Sequence, residues 1–436
     1  MKTAPAVLSP AVTAVAPPDR NSATFAPAPN LSATPSPQAT TNGPIAPPRP
    51  CAEPPPMLPS HRELFEIPRH VAYFNNGSFT PLPRLVRQAG EAGVAEKSTP
   101  WLRDEAAIRE RADAVRAAAS SFIGATADDI ALVPSVAYGI ATAAANLAIG
   151  PATRILLLEG EFPSQSQEWA RLAELRGATL DVVPRPGDGD WTSAIQARID
   201  APGLPPVGIA ALTPLLWTDG SLIDLDRLTP SLRAQGAAIV IDGTQAAGIL
   251  PIDVRRLDAD YVAFPTYKWL LGPYTLAFLY VAARHQQGTP LEQHSFNRVA
   301  NGFRGVLEPL VPTARRFDMG ERFNPVSLPM ALAGMRLLQS WDRVAVEARL
   351  RATTTDLANY ALACGLQPVD PRFRAPHLLG VRALGRNLPA LISALEQQNV
   401  FVAERGGNLR IGTHIYNDEE DVARFGDALR RALQVV

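Results

Sequence analysis

The sequence predicts an α/β fold, with a large domain built on a mainly parallel sheet and a smaller α+β domain at the C-terminus. Two observations support this. Helical and apolar β-rich segments alternate from Leu64 to about residue 315, and long helices take over from about residue 316. Alternation of this kind is typical of a parallel sheet that is covered by helices on both faces.

The predicted elements of the large domain follow in chain order. RADAVRAAASSFIG predicts an amphipathic helix, ALVPS a strand, VAYGIATAAANLA the next helix and ATRILLLEG the next strand. RLAELRGATLDVVP, GIAALTPLL, GAAIVIDGTQAAG and YVAFP continue the alternation. In the smaller domain, NPVSLPMALAGMRLLQSW, VEARLRATTTDLANYALACG and EEDVARFGDALRRALQ predict helices, and HLLGVRAL and NLRIGTHIY predict strands.

The predicted organisation is a tail over residues 1–59, a large domain over 60–315 and a small domain over 316–436. Ala, Pro, Ser and Thr dominate the tail, which cannot bury enough apolar surface to offset its ordering entropy, so we expect it to be disordered. A docking or targeting role is the alternative for the tail, and no recognisable motif in it supports that role.

Composition narrows the function classes. The net charge of −1 and the pI of about 6.6 give no electrostatic case for nucleic acid or an anionic membrane, which leaves a small-molecule partner. No apolar run reaches the ~18–20 residues of a membrane span. The two cysteines, Cys51 and Cys364, have no metal-ligand spacing, so no metal site and a reducing, cytoplasmic location are expected.

Lys268 is the first candidate for chemistry. Lysine and arginine together number 41, yet only Lys2, Lys97 and Lys268 are lysines, and Lys268 lies in the apolar stretch FPTYKWLLGPYTLAFLYV. Arginine cannot serve as an amine nucleophile, whereas a desolvated lysine can lose its proton and form a Schiff base.

A carboxylate precedes Lys268 by one strand. Asp242 ends the apolar segment IVID, and ligands sit at the carboxyl ends of parallel strands. Asp242 either caps the turn that follows or accepts a hydrogen bond from a heteroaromatic nitrogen. An acid and a lysine after neighbouring strands are the two polar contacts that pyridoxal phosphate requires.

Two further segments fit the same cofactor. Ser135, Val136 and Ala137 stand at a strand-to-helix turn, where free N–H groups favour a phosphate, although on this signal alone an ordinary serine N-cap before an Ala-rich helix is the better explanation. Phe162 follows another strand and either lies against the cofactor ring or belongs to the core.

In this order, the segments resemble the class V aminotransferase family of fold-type I pyridoxal-phosphate enzymes, which includes cysteine desulfurases, kynureninases and isopenicillin N epimerase-like proteins. The resemblance extends from about Val71 to the C-terminus, through YFNNGSFTPLP, DGTQAAGILPIDV, TYKW and RIGTHIYNDEEDV. It implies the fold of that family, pyridoxal phosphate as cofactor, an amino-acid substrate and a homodimer with its active site at the interface.

The resemblance also implies roles for individual residues. Lys268 forms the Schiff base and shuttles protons, Asp242 keeps the ring nitrogen protonated, and Gln245 contacts the ring hydroxyl. The other implied cofactor contacts are Phe162 on the ring, Ser135, Val136 and Ala137 at the phosphate, the hydroxyls of Thr266 and Tyr267, and Asn324, which reaches the neighbouring subunit's phosphate. For the substrate, Arg410 binds the α-carboxylate, and Asn76 and Trp217 complete the pocket.

The chain departs from the family pattern at two places. The segment FVAERGGNLR lacks the nucleophilic cysteine of desulfurases, and Cys364 is expected in the core, which argues against persulfide chemistry at a protein cysteine. An apolar residue, around Leu215, replaces an asparagine that contacts the carboxylate in the family.

Several reactions stay open. The Tyr267–Lys268 pair and the missing cysteine favour a β-elimination lyase that breaks a C–S or C–C bond, with an aminotransferase as the related outcome. The NNGSF turn and the Lys–Trp pair favour the alternative, an isopenicillin N epimerase-like epimerase. A non-catalytic cofactor-binding sensor is a further alternative, and an α/β scaffold without cofactor would make the placement of Lys268 accidental.

Overall fold

The computed structural model describes residues 57–299 and 308–435. Most of the predicted N-terminal tail, with Cys51, lies outside the described residues. In chain order the first part contains β1 (Ala72–Tyr73), α1 (Arg84–Lys97), α2 (Glu105–Ser121), β2 (Ile130–Val133), α3 (Val136–Asn146), β3 (Arg154–Leu158), α4 (Pro163–Arg176), β4 (Thr179–Val183), α5 (Trp191–Ile199), β5 (Val207–Leu212), α6 (Leu225–Ala234), β6 (Ala238–Asp242), β7 (Tyr261–Pro265) and β8 (Ala277–Val281).

The second part contains α7 (Ser327–Gln339), α8 (Arg343–Ala363), β9 (Gln367–Pro368), β10 (Leu378–Arg382), α9 (Leu388–Glu396), β11 (Val400–Phe401), β12 (Ala403–Arg405), β13 (Asn408–Gly412) and α10 (Glu419–Val435). Each segment that the sequence predicts as a helix or a strand contains the corresponding element.

The large sheet has seven strands in the order β2-β8-β7-β6-β5-β3-β4. Strands β7, β6, β5, β3 and β4 are parallel, and β8 runs antiparallel to β7 and β2. Alternate residues of these strands belong to two separate hydrophobic cores. Leu156 and Ile239 pack in the core on one face of the sheet, and Ile155 and Val240 pack in the core on the other face. Because both faces are covered, strands such as β3, β7 and β8 are buried along their whole length, and the predicted mainly parallel α/β fold is confirmed.

A second, antiparallel sheet has the order β12-β13-β10-β9 and packs on α8, α9 and α10. The N-terminal strand β1 pairs in parallel with β11, so the beginning of the described chain joins the C-terminal elements. Asp318 lies beyond the expected boundary at 315/316, yet it forms an ion pair with Arg116 and accepts a hydrogen bond from Leu132 N in the large sheet. The exact domain boundary therefore stays a prediction.

Over 57–299 and 308–435, none of the helices is long and apolar enough to cross a membrane. The same part of the chain holds no group of three or more His, Cys, Asp or Glu side chains arranged to bind a metal ion. Cys364 is a free, half-buried thiol that follows α8 and packs partly against the C-terminal core.

Candidate active site

Five parallel strands end at one cavity of about 400 Å³. Strands β2, β3, β5, β6 and β7 share one direction, so their carboxyl ends meet at the same edge of the large sheet. The residues that line the cavity after these strands are Ser135, Val136 and Ala137 after β2, Glu161 and Phe162 after β3, Thr213 after β5, Asp242, Thr244 and Gln245 at β6, and Tyr267 and Lys268 after β7. The volume is within the usual ~300–1,000 Å³ range of ligand sites.

Lys268 is buried at the edge of this cavity, with 7% of its surface exposed. Its Nζ lies 5.5 Å from the ring centroid of Tyr267 and 5.9 Å from that of Phe162. Burial lowers the pKa of Lys268 to about 8, and the charges of Arg410 and Arg405 act in the same direction, while Asp242 opposes them. Lys268 is thus an amine that can lose its proton near neutral pH, as a nucleophile requires.

Asp242 ends β6 inside the same cavity and is 6% exposed. Thr244 N donates to its Oδ1 over 2.8 Å. Burial raises the pKa of Asp242, and the hydrogen bonds from Thr244 and the charge of Lys268 partly oppose this rise. A buried carboxyl of this kind is stabilised in its charged form by a cationic ring N–H, so the residue type fits the ring-nitrogen end of pyridoxal phosphate.

The start of α3 offers groups that suit an anion such as a phosphate. Ser135 is the N-cap of this helix, and its Oγ accepts a hydrogen bond from Tyr138 N over 3.1 Å. The N–H groups of Val136 and Ala137 belong to the first turn and have no acceptor within the helix. Because all three residues line the cavity, the positive end of α3 faces the space where an anion would bind.

One wall of the cavity is aromatic. Phe162 is 41% exposed and meets Trp217 edge to face, with ring centroids 5.2 Å apart. Trp217 is fixed by a hydrogen bond of 2.8 Å from its Nε1 to Gly160 O. The partly exposed face of Phe162 therefore suits a planar ring lying between it and Lys268.

The remaining predicted cofactor residues differ in position. Gln245 lines the cavity, donates to Gly77 O over 3.0 Å and accepts a hydrogen bond from Trp269 Nε1 over 2.8 Å. Tyr267 also lines it and stacks on Tyr274. Thr266 is fully buried beside the cavity and outside its lining, because its hydroxyl is directed at the carbonyl oxygens of Pro273 and Leu276.

Of the predicted substrate residues, Trp217 lines the cavity, whereas Arg410 and Asn76 lie at the second sheet and outside the cavity lining. Arg410, in β13, is 2% exposed, and its guanidinium donates to Trp217 O over 2.9 Å and to the hydroxyl of Ser78. Asn76 is fully buried and uses both ends of its amide, donating to Gly412 O and accepting from the Tyr416 hydroxyl, so its side chain holds the turn against β13.

Two other positions predicted from the sequence lie away from the cavity. Asn324 is exposed and accepts hydrogen bonds from Val326 N and Ser327 N at the start of α7, where it borders a different cleft. Its expected contact with a neighbouring subunit stays a prediction. Leu215 is fully buried in the core, and Thr213 lines the cavity in that segment.

Sequence reasoning missed Glu161, which precedes Phe162 in the cavity wall. Its Oε1 accepts a hydrogen bond from Phe162 N over 2.7 Å, and its buried Oε2 has no hydrogen-bond partner among the described residues. Burial raises the pKa of Glu161 to about 8, and the nearby charge of Asp242 adds to the rise. The signal was present in LLLEGEFP, where an acid follows a strand that ends at the ligand edge.

Glu161 is expected to make stability depend on pH. The folded protein keeps the Glu161 proton up to a pH of about 8, whereas an unfolded glutamate loses it near ~4.3. Between these values the folded state binds more protons, so the free energy of unfolding falls as pH rises. We expect Glu161→Gln, which keeps the acceptor for Phe162 N, to match the wild type near pH ~4 and to be more stable by roughly 2–4 kcal/mol above pH ~8.

Urea unfolding of both proteins across this pH range measures the difference. The matched control is Glu159→Gln, two residues earlier, whose carboxyl is exposed; it should follow the wild-type curve. A Glu161→Gln protein whose stability runs parallel to the wild type at every pH would contradict a protonated Glu161.

Comparison with protein families gives one match of direct relevance. The family model described as "Aminotransferase class-V" matches residues 94–301. This range contains Ser135, Phe162, Asp242 and Lys268, the residues that meet at the carboxyl ends of the parallel strands.

Individual proteins match over most of the chain. Isopenicillin N epimerase of Amycolatopsis lactamdurans is 26% identical over 406 residues, which cover 85% of this chain and 97% of that protein. The solved cysteine desulfurase CsdA of Escherichia coli has a TM-score of 0.74 at 20% identity, covering 86% of this chain and 98% of its own. A C-DES variant with glycine covalently linked to its PLP cofactor has a TM-score of 0.73 at 22% identity, covering 84% and 99%, and C-DES is a cystine C–S lyase. The two solved structures share the fold of this chain.

Proposed function

Because this chain belongs to the class V aminotransferase family of fold-type I pyridoxal-phosphate enzymes, we propose that it is a lyase that removes a β-substituent from an amino acid by breaking a C–S or C–C bond. The observation that carries the proposal is the convergence of Lys268, Tyr267, Asp242 and the start of α3 on one cavity. This set contains a base, an acid, a carboxylate for a ring nitrogen and a cradle for a phosphate.

The residues present fit the cofactor. Ser135, Val136 and Ala137 would hold its phosphate, Asp242 its ring nitrogen, and Phe162 one face of its ring, with Gln245 near the ring hydroxyl. When bound, pyridoxal phosphate supplies an aldehyde that condenses with amines and a ring that accepts electrons from the substrate's α-carbon. Lys268 is the amine of this chain placed for that condensation.

The side chains of the cavity divide the proton transfers between them. Lys268, with a pKa near 8, takes the α-proton of the substrate, and the Asp242 carboxylate holds the proton at the ring nitrogen. Burial raises the pKa of Tyr267, so this phenol keeps its proton and can donate it to a departing group. Elimination uses a base for the α-proton and an acid for the departing group, whereas transamination can proceed with one base that shuttles the proton. A second proton donor such as Tyr267 therefore favours a lyase.

Epimerisation is the second candidate. It is favoured by the likeness to isopenicillin N epimerase, which covers 85% of this chain. An epimerase must return a proton to the opposite face of the α-carbon, and Tyr267 would then protonate carbon in place of a leaving group. Aminotransfer and cofactor-dependent sensing are the other outcomes that a product assay separates.

Product analysis tests the proposal. Purified protein is incubated with cystine, cysteine and a panel of other amino acids, with and without an added keto acid that accepts an amino group, and keto acid, ammonia, released thiol and inverted amino acid are measured. We expect keto acid and ammonia in equal amounts together with the released substituent. Inverted amino acid alone would indicate an epimerase, keto acid without ammonia an aminotransferase, and a single stoichiometric spectral change without product a sensor.

Tyr267→Phe separates the acid from the base. We expect the variant to keep exchange of the substrate's α-proton with solvent D₂O, because Lys268 is intact, and to lose elimination by about 10²-fold. Tyr360→Phe, which changes a phenol on α8 away from the cavity, is the control and should retain both rates. If exchange and elimination fall together in Tyr267→Phe, the phenol is not the acid for the leaving group.

We also propose that the active form is a homodimer in the cytoplasm. Support for a dimer comes from large apolar side chains left exposed on the single chain, among them Phe79, Trp101 and Leu102. Sedimentation velocity checks the oligomeric state, and a monomer at micromolar concentration would contradict it. The location rests on composition and stays a prediction.

A further inference from the structure

Strands β12 and β13 form a tight hairpin that places two arginines on one face. The turn residues Gly406 and Gly407 have φ values of +55° and +74°, which suits a two-residue hairpin turn. Arg405 pairs with Asn408 across the hairpin, and Ala403 pairs with Arg410. Side chains opposite each other share a face and successive side chains alternate, so Arg405 and Arg410 project on the same side as diagonal neighbours.

The two guanidinium groups meet at one hydroxyl. Ser78 Oγ accepts a hydrogen bond from Arg405 Nη2 over 3.1 Å and another from Arg410 Nη2. Their other hydrogen bonds go to backbone carbonyls, from Arg410 to Trp217 O and from Arg405 to Glu404 O. The two charges are therefore separated by no more than the combined length of two hydrogen bonds.

Neither guanidinium forms an ion pair with a carboxylate in the part of the chain that the structure describes. The nearby Arg185 provides a contrast, because it is paired with Asp219 just beyond Trp217. Arg410 is almost fully buried, and arginine keeps its charge in proteins. Two adjacent cations without an anion are costly at a buried site, so this arrangement is suited to an anionic ligand.

The charges at and beside the cavity indicate more than one negative group. The cations are Lys268 in the cavity wall and, beyond its lining, Arg405 and Arg410. The guanidinium carbon of Arg410 lies 5.9 Å from the ring centroid of Trp217, which lines the cavity. Against them stands Asp242, which is placed for the cofactor ring, while Glu161 keeps its proton up to a pH of about 8. The cofactor's phosphate would be held at the start of α3 and an α-carboxylate by Arg410, which leaves Arg405 without a counter-charge.

We propose that the substrate is an amino acid with a second anionic group, a carboxylate or a sulfinate, on a short side chain, and that Arg405 binds this group while Arg410 binds the α-carboxylate. The proposal rests on the proposed function in that the substrate is an amino acid. Arg410 is the more buried and is oriented by Trp217 O and Ser78, as a fixed carboxylate anchor requires. Arg405 is partly exposed at the hairpin tip, and a planar guanidinium there matches a carboxylate or sulfinate with two hydrogen bonds.

Titration of the holoenzyme tests the proposal. The change in the cofactor's absorbance is followed with aspartate and with asparagine, which have the same shape and differ by one charge. We expect aspartate to half-saturate the wild type at a concentration at least tenfold lower. In Arg405→Gln, we expect the half-saturating concentration of aspartate to rise by about 10- to 100-fold, to that of asparagine. The half-saturating concentration of asparagine should change less than about twofold. Arg405→Lys, which keeps the charge without the planar fork, should recover part of the preference.

Arg382→Gln is the matched control, because Arg382 is an exposed arginine of the same sheet, and its aspartate preference should equal that of the wild type. Cysteine sulfinate distinguishes the two anion types by binding more tightly or less tightly than aspartate. Equal binding of aspartate and asparagine by the wild type, or equal weakening of both by Arg405→Gln, would overturn the proposal. A preserved preference with no C–S cleavage of cysteine sulfinate, by release of sulfinate with keto acid and ammonia or by release of SO₂ with alanine, would instead reject the lyase function alone.

Discussion

Lys268→Ala is expected to lose the yellow absorbance of lysine-bound pyridoxal phosphate and to reduce kcat by at least about 10⁴-fold. The variant removes both the amine for the Schiff base and the base for the α-proton. Lys268 Nζ is the amine beside the ring of Phe162, and its lowered pKa makes it reactive near neutral pH. Visible absorbance and product formation, measured on wild type and variant purified in parallel, give the result.

The chain offers a closely matched control. Lys97→Ala changes an exposed lysine at the end of α1 by the same side-chain truncation, and it should retain the wild-type spectrum and rate. If Lys268→Ala keeps its visible band and works within about tenfold of the wild type, another group must hold the cofactor, and the assignment of this cavity fails.

The second large effect is expected from Asp242→Asn. Asparagine has the same shape and still accepts the hydrogen bond from Thr244 N, but it lacks the charge that holds a proton at the ring nitrogen. A ring that is no longer kept cationic accepts electrons poorly, so we expect kcat to fall by about 10³-fold while the cofactor remains bound. Steady-state kinetics and the cofactor content of the purified variant measure these two outcomes separately.

Asp253→Asn is the control for the loss of one negative charge. Asp253 accepts hydrogen bonds from Arg255 N and Arg256 N in a turn outside the cavity lining, and its replacement should leave kcat within about twofold. A decrease of less than tenfold in Asp242→Asn would contradict an essential ring-nitrogen contact. Equal thermal midpoints of variant and wild type would show that any loss is chemical rather than structural.

The fold, and the meeting of most proposed cofactor residues at one cavity, were predictable because both depend on local patterns. Apolar strands alternate with helices, and parallel strands bring their carboxyl ends to one edge, so Asp242, Lys268, Ser135 and Phe162 could be placed together without coordinates. Thr266 was the exception at that edge, because the loop with Pro273 and Leu276 determines where its hydroxyl points.

The proposed substrate-binding residues were harder to predict from the sequence, because their positions depend on contacts between distant segments. Ser78 and Arg410 are 332 positions apart in the sequence, and no local pattern indicates that they touch. In the segment FVAERGGNLR the missing cysteine was the feature visible in the sequence, whereas the proposed substrate contact is Arg405, whose hydrogen bond to Ser78 only the fold reveals. Asn76 matched the expected motif, but Gly412 and Tyr416 engage both ends of its amide in the fold.

The pairing of β1 with β11 has a consequence for how the protein is made. A chain that has left the ribosome only as far as β8 already carries Ser135, Phe162, Asp242 and Lys268, and it carries neither Arg405 nor Arg410. Ser78 is synthesised early but meets both arginines only after the last strands have joined the first. The residues proposed to hold the cofactor are therefore synthesised before the arginines proposed to bind the amino acid, and the contacts of those arginines with Ser78 need both ends of the described chain.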